Sequence, residues 1–428
     1  FLRARRFIVF TVVLRADDSR IARLTVPLYA HVAAKEFVLL YPVYALLFDE
    51  HGLSVTQIGS LFALWSGIGL VTGVPAGALA DVVSRRYVLA AAPMLTAAGF
   101  TLWLLAPGYT SFAAGFVLWG ISGSLTSGAL EAFVHDELSH RGAVARYARV
   151  MGVTRAIEIG AAGAATLVAV PVLNWAGRGG TDGDFAAVGA ASVATCVLCA
   201  IAAMALPENR GLIPATPDRK SADEDPSAGE SSLGYLATLR AGIVEARDNR
   251  RVRVAIVLLV VLTSFWGVLD EYAPLLVADH GVATETIPLV LAVIWAGATA
   301  GGLCGGALAR WPDSGFAGLI AVGGVCLAAG AVLGGIGGWM LLAVAFGICQ
   351  AADVVADTRL QDTITGQSRA TVTSLGAFGA DAAATAVYPA VAAVVSATSY
   401  SAAFTMFAAP YLVVACVLSA DRKSTRLN

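Results

Sequence analysis

Twelve apolar stretches dominate this 428-residue sequence, each close to the roughly 20 residues a helix needs to cross the hydrocarbon core of a bilayer. They cover residues 28–48, 57–80, 87–106, 111–132, 149–173 and 185–206, then 254–277, 286–309, 315–333, 339–356, 370–395 and 400–419. Strands of a membrane barrel alternate apolar and polar residues, whereas these runs are apolar all round and read as helices. Charged residues make up only 14% of the chain, against about a quarter in a soluble domain, and the mean hydropathy is +0.75. The net charge of -2 gives no sign of a nucleic-acid partner.

The basic residues set the expected orientation. With an even number of spans both chain ends share one side, and that side holds Arg3, Arg5, Arg6, Arg15, Arg20, Arg23, Arg85, Arg86, Arg141, Arg146, Arg149, Arg310, Arg359 and Arg369. The opposite loops carry only Arg178. Cytoplasmic loops collect Lys and Arg, so both termini are expected in the cytoplasm, with the chain multi-pass in the cytoplasmic (inner) membrane of a bacterium. The chain opens on Phe1 rather than Met. Residues 1–27 are read as a cytoplasmic N-terminal segment and 420–428 as a tail, both outside the fold argument.

One long polar segment, 207–253, divides the spans six and six. Its first part has the Pro, Ser, Asp and Glu content of a disordered linker. Its second part spaces Leu233, Leu236, Leu239 and Ile243 as an amphipathic helix on a membrane surface would. The expected organisation is therefore a six-helix bundle over 28–206, a cytoplasmic linker over 207–253 and a second bundle over 254–419. A shift of 229 positions supports two equivalent halves: it pairs GALA at 77–80 with GALA at 306–309, His51 and Gly52 with His280 and Gly281, and Gly73 with Gly302.

The stretch GALADVVSRR at 77–86 resembles the loop between the second and third helices of the major facilitator superfamily, GxxxD(R/K)xGR(R/K). Gly77, Asp81, Arg85 and Arg86 match, while Val82 and Ser84 depart from the pattern. The resemblance implies an all-α membrane protein of twelve transmembrane helices in two pseudo-symmetric six-helix bundles. It also implies that Asp81 caps the eleventh helix and latches the cytoplasmic side, and that Arg85 pairs with an acid at the inner end of the fourth helix, Asp136 or Glu137. A carboxylate beside a helix N-terminus is favoured by the dipole.

Ionisable groups inside a span are costly, by about 2.5 to 3.5 kcal/mol on insertion scales, so each needs a partner or a function. They are Lys35, Glu36, Glu131, Arg155, Glu158, Asp270, Glu271, Asp353 and Asp381. Arg155 and Glu158 share a helical face and can neutralise each other. Lys35 and Glu36 are adjacent on a helix and point apart, so each is expected to need another helix. The resemblance places helices 1, 4, 7 and 10 around a central cavity, which makes Glu36, Asp270, Glu271 and Asp353 cavity groups. Glu36 is the first choice for a proton-carrying carboxylate, with Asp353 or Asp381 second, and Asp270 and Glu271 suit an outer gate or a solvated role. Tyr41, Tyr44, Trp119, Trp266 and Tyr272 offer aromatic faces to an apolar or cationic solute.

Gly69, Gly73 and Gly77 and the pairs Gly301/Gly305 and Gly302/Gly306 are expected to let helices approach closely. All six cysteines fall inside spans and read as small packing residues. Two markers of the resembling family are missing: an arginine in the outer half of the fourth helix, near Trp119, and a Gly-Pro pair in the fifth. No P-loop is present, so ATP is not the expected driver. The function expected is secondary active transport by alternating access, as proton-coupled export of an apolar or drug-like compound, because the cavity helices offer few amides or hydroxyls. Metabolite uptake is the alternative, followed by a receptor or scaffold on the same fold. A membrane enzyme is disfavoured because His31, His51, His135, His140 and His280 show no ligand spacing. The expected partners are a small molecule, protons and the lipid bilayer, with no cofactor, no metal and no nucleic acid, and the chain is expected to be a monomer.

Overall fold

The computed structural model describes residues 19–177, 184–207, 247–364 and 369–427, with side chains described for these except 19–20, 74, 77–82, 184, 369–371 and 421–427. The expected amphipathic helix at Leu233 to Ile243, Arg178, and the side chains of Gly77 and Asp81 therefore lie outside the described residues.

The described chain is helical in its spans apart from two breaks. In order it forms α1 (Ser19–Glu36), α2 (Tyr44–Glu50), α3 (Val55–Val82), α4 (Arg85–Leu105), α5 (Tyr109–Thr126), α6 (Ala129–His140), α7 (Tyr147–Gly177) and α8 (Asp184–Met204). After the linker come α9 (Arg250–Asp279), α10 (Ile287–Leu308), α11 (Asp313–Leu333), α12 (Gly335–Thr363), α13 (Arg369–Ala397) and α14 (Tyr400–Leu427). Among the described residues, eleven helical stretches are long and apolar enough to cross a membrane. The other crossing is made by α1 and α2 together. The start of α1 and the end of α14 thus fall on one side, the terminus side, and the loops after α2, α4, α7, α9, α11 and α13 lie on the far side.

Two expected single helices are broken. The stretch 28–48 is not continuous: it comprises the end of α1, an irregular segment at 37–43, and most of α2. Pro42 explains the break, since its ring forbids an interior helical hydrogen bond and constrains the residue before it. Unwound backbone survives at membrane depth only where neighbours satisfy it, and the buried Ser192 hydroxyl on α8 accepts the Leu40 N–H at 2.9 Å. The fourth crossing breaks between α5 and α6 at Gly128, whose φ of 75° is the left-handed region that glycine enters without a Cβ clash. At the C-terminus α14 continues to Leu427, past the expected limit at 419.

The 229-residue offset is visible in backbone detail. The His51 Nδ1–H donates to the Leu47 carbonyl at 2.8 Å, and the His280 Nδ1–H donates to the Leu276 carbonyl at 2.9 Å. Gly52 and Gly281 follow with φ of 77° and 78°, and their N–H groups reach Asp49 and Ala278 carbonyls at 2.9 and 2.8 Å. Each partner pair differs by the same shift, so the two halves cap their first far-side helix ends in one way.

Close packing is selective. A Cβ on Gly301 would overlap the Gly347 carbonyl, so α10 and α12 meet backbone to backbone. Gly305 likewise abuts Val354, and Gly302 lies against Gln350. Gly69, Gly73 and Gly306, expected to pack, have nothing within 4 Å of a built Cβ. Between the halves, α3 packs along α13, α7 touches α10, and α2 touches α9. The far side is filled by a buried aromatic cluster of Tyr44, Phe48, Phe62, Trp103, Phe112 and Phe116.

Candidate binding cavity

A cavity of about 1150 Å³ lies between the two halves, lined from α1, α3, α4, α5, α7, α8, α9, α10 and α12. Its far-side end is shut. There the Tyr44 hydroxyl on α2 donates to the Glu271 carboxylate on α9, with both side chains buried. Phe62 on α3 meets the rings of Tyr272 and Tyr388 at 5.3 and 5.5 Å, and a Cβ on Gly59 would run into Ala392 and the Tyr272 hydroxyl at 2.6 Å. Half-way along, Ser66 Oγ still reaches Thr385 Oγ1 on α13 at 2.7 Å. One and two turns further toward the terminus side, the same face of α3 carries Gly69 and Gly73, with open space around both. The contact between α3 and α13 made at Gly59, Phe62 and Ser66 is therefore not continued at Gly69 and Gly73.

The charges in the wall sort into pairs and one remainder. Lys35 Nζ lies 3.0 Å from Glu36 Oε1. That corrects the expectation that they point apart: α1 ends at Glu36, so the angular spacing of a continuing helix does not separate them. Arg155 pairs with Glu158 at 2.8 Å, three residues along α7. Asp270 Oδ1 accepts the indole N–H of Trp295 on α10 at 2.7 Å. Lys35, Glu36, Tyr41, Trp119, Arg155, Trp266 and Asp270 all line the cavity.

Glu131, Glu158, Glu271, Asp353 and Asp381 do not line it. Glu271 is buried behind the closed far side rather than solvated. Asp353 accepts a hydrogen bond from Thr263 within the second half. Asp381 is exposed on α13 at the point where α3 and α13 separate, its carbonyl reached by Ser66 Oγ at 3.3 Å.

On the terminus side, Arg85 forms an ion pair with Asp136, and Glu137 pairs instead with Arg141 one turn on. Arg86 Nη1 donates to the Leu206 carbonyl at 3.4 Å, tying the start of α4 to the end of α8.

Several lining residues escape the sequence reading. Trp65, Trp295 and Gln350 border the cavity, as do the hydroxyls of Thr96, Ser122, Thr126, Thr166 and Thr299. Beside the expectation of few amides or hydroxyls, the mostly apolar wall thus holds one amide and five Ser/Thr hydroxyls. Most of these hydroxyls spend their proton locally, Thr126, Thr166 and Thr299 on carbonyls four residues back and Thr96 on Ser122, so what they present to a solute is acceptor lone pairs. Trp295 was missed because it lies on the eighth crossing, outside the four helices that the resemblance assigns to the cavity. His31 also borders the cavity, its Nδ1–H donating to the Cys199 carbonyl at 3.1 Å. Cys196 and Cys199 are buried beside it, as thiols rather than a disulfide.

Residues 32–346 match the Major Facilitator Superfamily. The chain belongs to that superfamily. Solved structures agree on the fold. The nucleoside transporter NupG superposes with a TM-score of 0.72 at 12% identity, covering 94% of this chain and 99% of that one. The D-xylose-proton symporter gives 0.64 at 16% identity, with 94% and 97% covered. A bacterial homolog of the human lysosomal transporter Spinster, in its inward-facing and unoccupied conformation, gives 0.66 at 15% identity, with 93% and 96% covered. Among curated proteins none matches the sequence significantly. The molecule is thus an all-α membrane protein with the major facilitator fold.

Proposed function

We propose that this major facilitator protein is a secondary active transporter that moves a small organic solute by alternating access, with protons as the coupling ion. The observation that carries the reading is the cavity between the halves, shut on the far side by Tyr44 and Glu271, with the contact between α3 and α13 lost toward the terminus side at Gly69 and Gly73, where we infer that it opens. The charge distribution of the loops supports assigning the terminus side to the cytoplasm of a bacterial inner membrane, which makes this the inward-open state. The two bundles, 28–206 and 254–419, rock about the far-side contact, and Asp81 latches the cytoplasmic side once it closes.

Glu271 takes the coupling role in place of Glu36, whose charge Lys35 already balances at 3.0 Å. Opening the far side breaks the Tyr44 hydrogen bond and uncovers the Glu271 carboxylate to that side alone. A proton gained there and released, once the cavity turns inward, by way of the neighbouring Asp270, which lines the cavity, gives a coupled cycle without any enzymatic step. Export is one direction of that cycle. The uptake reading gains support from the hydroxyls and Gln350 in the wall, and from the nucleoside, sugar and peptide transporters among the structural neighbours.

A substrate panel on a deletion strain, scored for resistance and growth, selects the solute and direction: accumulation rises on deletion for an exporter and falls for an importer. Flux of the selected solute in proteoliposomes then tests the coupling. Flux should accelerate with an imposed pH gradient, and Glu271→Gln should keep solute exchange while losing the response to the gradient. Wild-type flux indifferent to the gradient removes the proton, and no flux for any solute removes transport.

A further inference from the structure

The charges lining the cavity do not cancel. Lys35 is answered by Glu36 at 3.0 Å and Arg155 by Glu158 at 2.8 Å, but Asp270 has no cationic partner among the described residues. It accepts the indole N–H of the neutral Trp295 at 2.7 Å, which fixes the carboxylate without supplying a counter-charge. The next residue, Glu271, is a second acid, bonded to Tyr44. An unbalanced carboxylate in an apolar wall is costly unless something cationic joins it.

What surrounds Asp270 suits an organic cation better than a hydrated metal ion. Trp295, which holds the carboxylate, has its ring centroid 6.0 Å from Tyr41, and Tyr41 lies 6.0 Å from Trp119. Aromatic faces carry negative potential and attract alkylated or delocalised cations. Trp266 adds an independent pointer: it borders the same cavity, and its buried Nε1–H has no acceptor among the described residues. A solute carrying one positive charge, an apolar body and a hydrogen-bond acceptor would complete all three. An anion would instead have to draw on Lys35 or Arg155, each already neutralised.

We propose that the closed end of the cavity recognises a small organic cation, with its charge on Asp270 and its apolar body against Tyr41, Trp119 and Trp295. The site deepens the transport reading, yet binding is measurable without transport. Calorimetry on the purified full chain in detergent would compare tetraphenylphosphonium with its neutral relative triphenylphosphine oxide and the isosteric anion tetraphenylborate. The cation should bind at least tenfold more tightly than either. Asp270→Asn should erase that preference, Asp270→Glu should retain most of it, and Asp353→Asn, outside the cavity, should leave it unchanged.

Equal affinity for cation and neutral probe on the wild type overturns the proposal even if no variant folds. So does a folded Asp270→Asn protein that binds the cation as the wild type does. Cation binding without flux upholds the site and removes the transport reading, whereas flux of a solute with no preference for the cation does the reverse.

Discussion

At the scale of single residues, the contact between Tyr44 and Glu271 bears most on function, because it joins the halves through one buried hydrogen bond to an acid. Hydrogen bonds to charged groups contribute about 1.5 to 3 kcal/mol. Tyr44→Phe removes the donor and leaves the ring in its aromatic cluster, so the far-side-closed state should lose about tenfold in population, read as faster labelling of a cysteine introduced beside Tyr44, as in Phe62→Cys, by a membrane-impermeant maleimide. Unchanged labelling would mean the bond does not hold the gate. The ionisable residues within the spans were legible from sequence, since charges in apolar runs stand out. Their partners were not. The angular argument that separates Lys35 from Glu36 needs a continuing helix, and this one stops at Glu36, while Glu271 meets Tyr44 through a contact spanning 227 positions that no local pattern records.

At the scale of elements, hydropathy marks the apolar stretches and is blind to the interruptions within them. An apolar break such as 37–43 leaves the hydropathy profile intact, so only the Pro42 signal and the Ser192 hydroxyl that accepts the Leu40 N–H show that the backbone unwinds there. Ser192→Ala would leave that N–H without its acceptor and should lower stability by about 1 to 3 kcal/mol in thermal unfolding, whereas Ser192→Thr should be milder. Glycine pairs were read as packing surfaces, and two kinds emerge. Gly301 is locked against Gly347, so Gly301→Leu overpacks α10 on α12 and should destabilise the fold by about 1 to 3 kcal/mol or more. Gly73 stands in open space on the face of α3 that would meet α13 once the terminus side closes. Gly73→Leu should therefore leave unfolding temperature nearly unchanged while reducing flux about tenfold or more, by obstructing closure. A normal flux would show that this face stays apart throughout the cycle.

At the scale of the molecule, the repeat was legible because a duplicated half keeps its spacing, and the matched His51 and His280 caps show it surviving in backbone geometry. The state of the cavity was not legible, since a sequence compatible with both ends of a transport cycle names neither. Two spin-label pairs resolve that state directly: Thr110→Cys with Ile336→Cys across the far side, and Ala145→Cys with Trp311→Cys across the terminus side, with the exposed Cys304 and Cys416 changed to Ser. Distance distributions from electron double resonance, recorded in liposomes for the wild type and for Tyr44→Phe, test alternating access itself. The wild type should be weighted toward a short far-side and a long terminus-side distance, with Tyr44→Phe lengthening the first as it shortens the second. Single distributions that stay fixed in both proteins, or two distances that move in the same direction, would contradict alternating access.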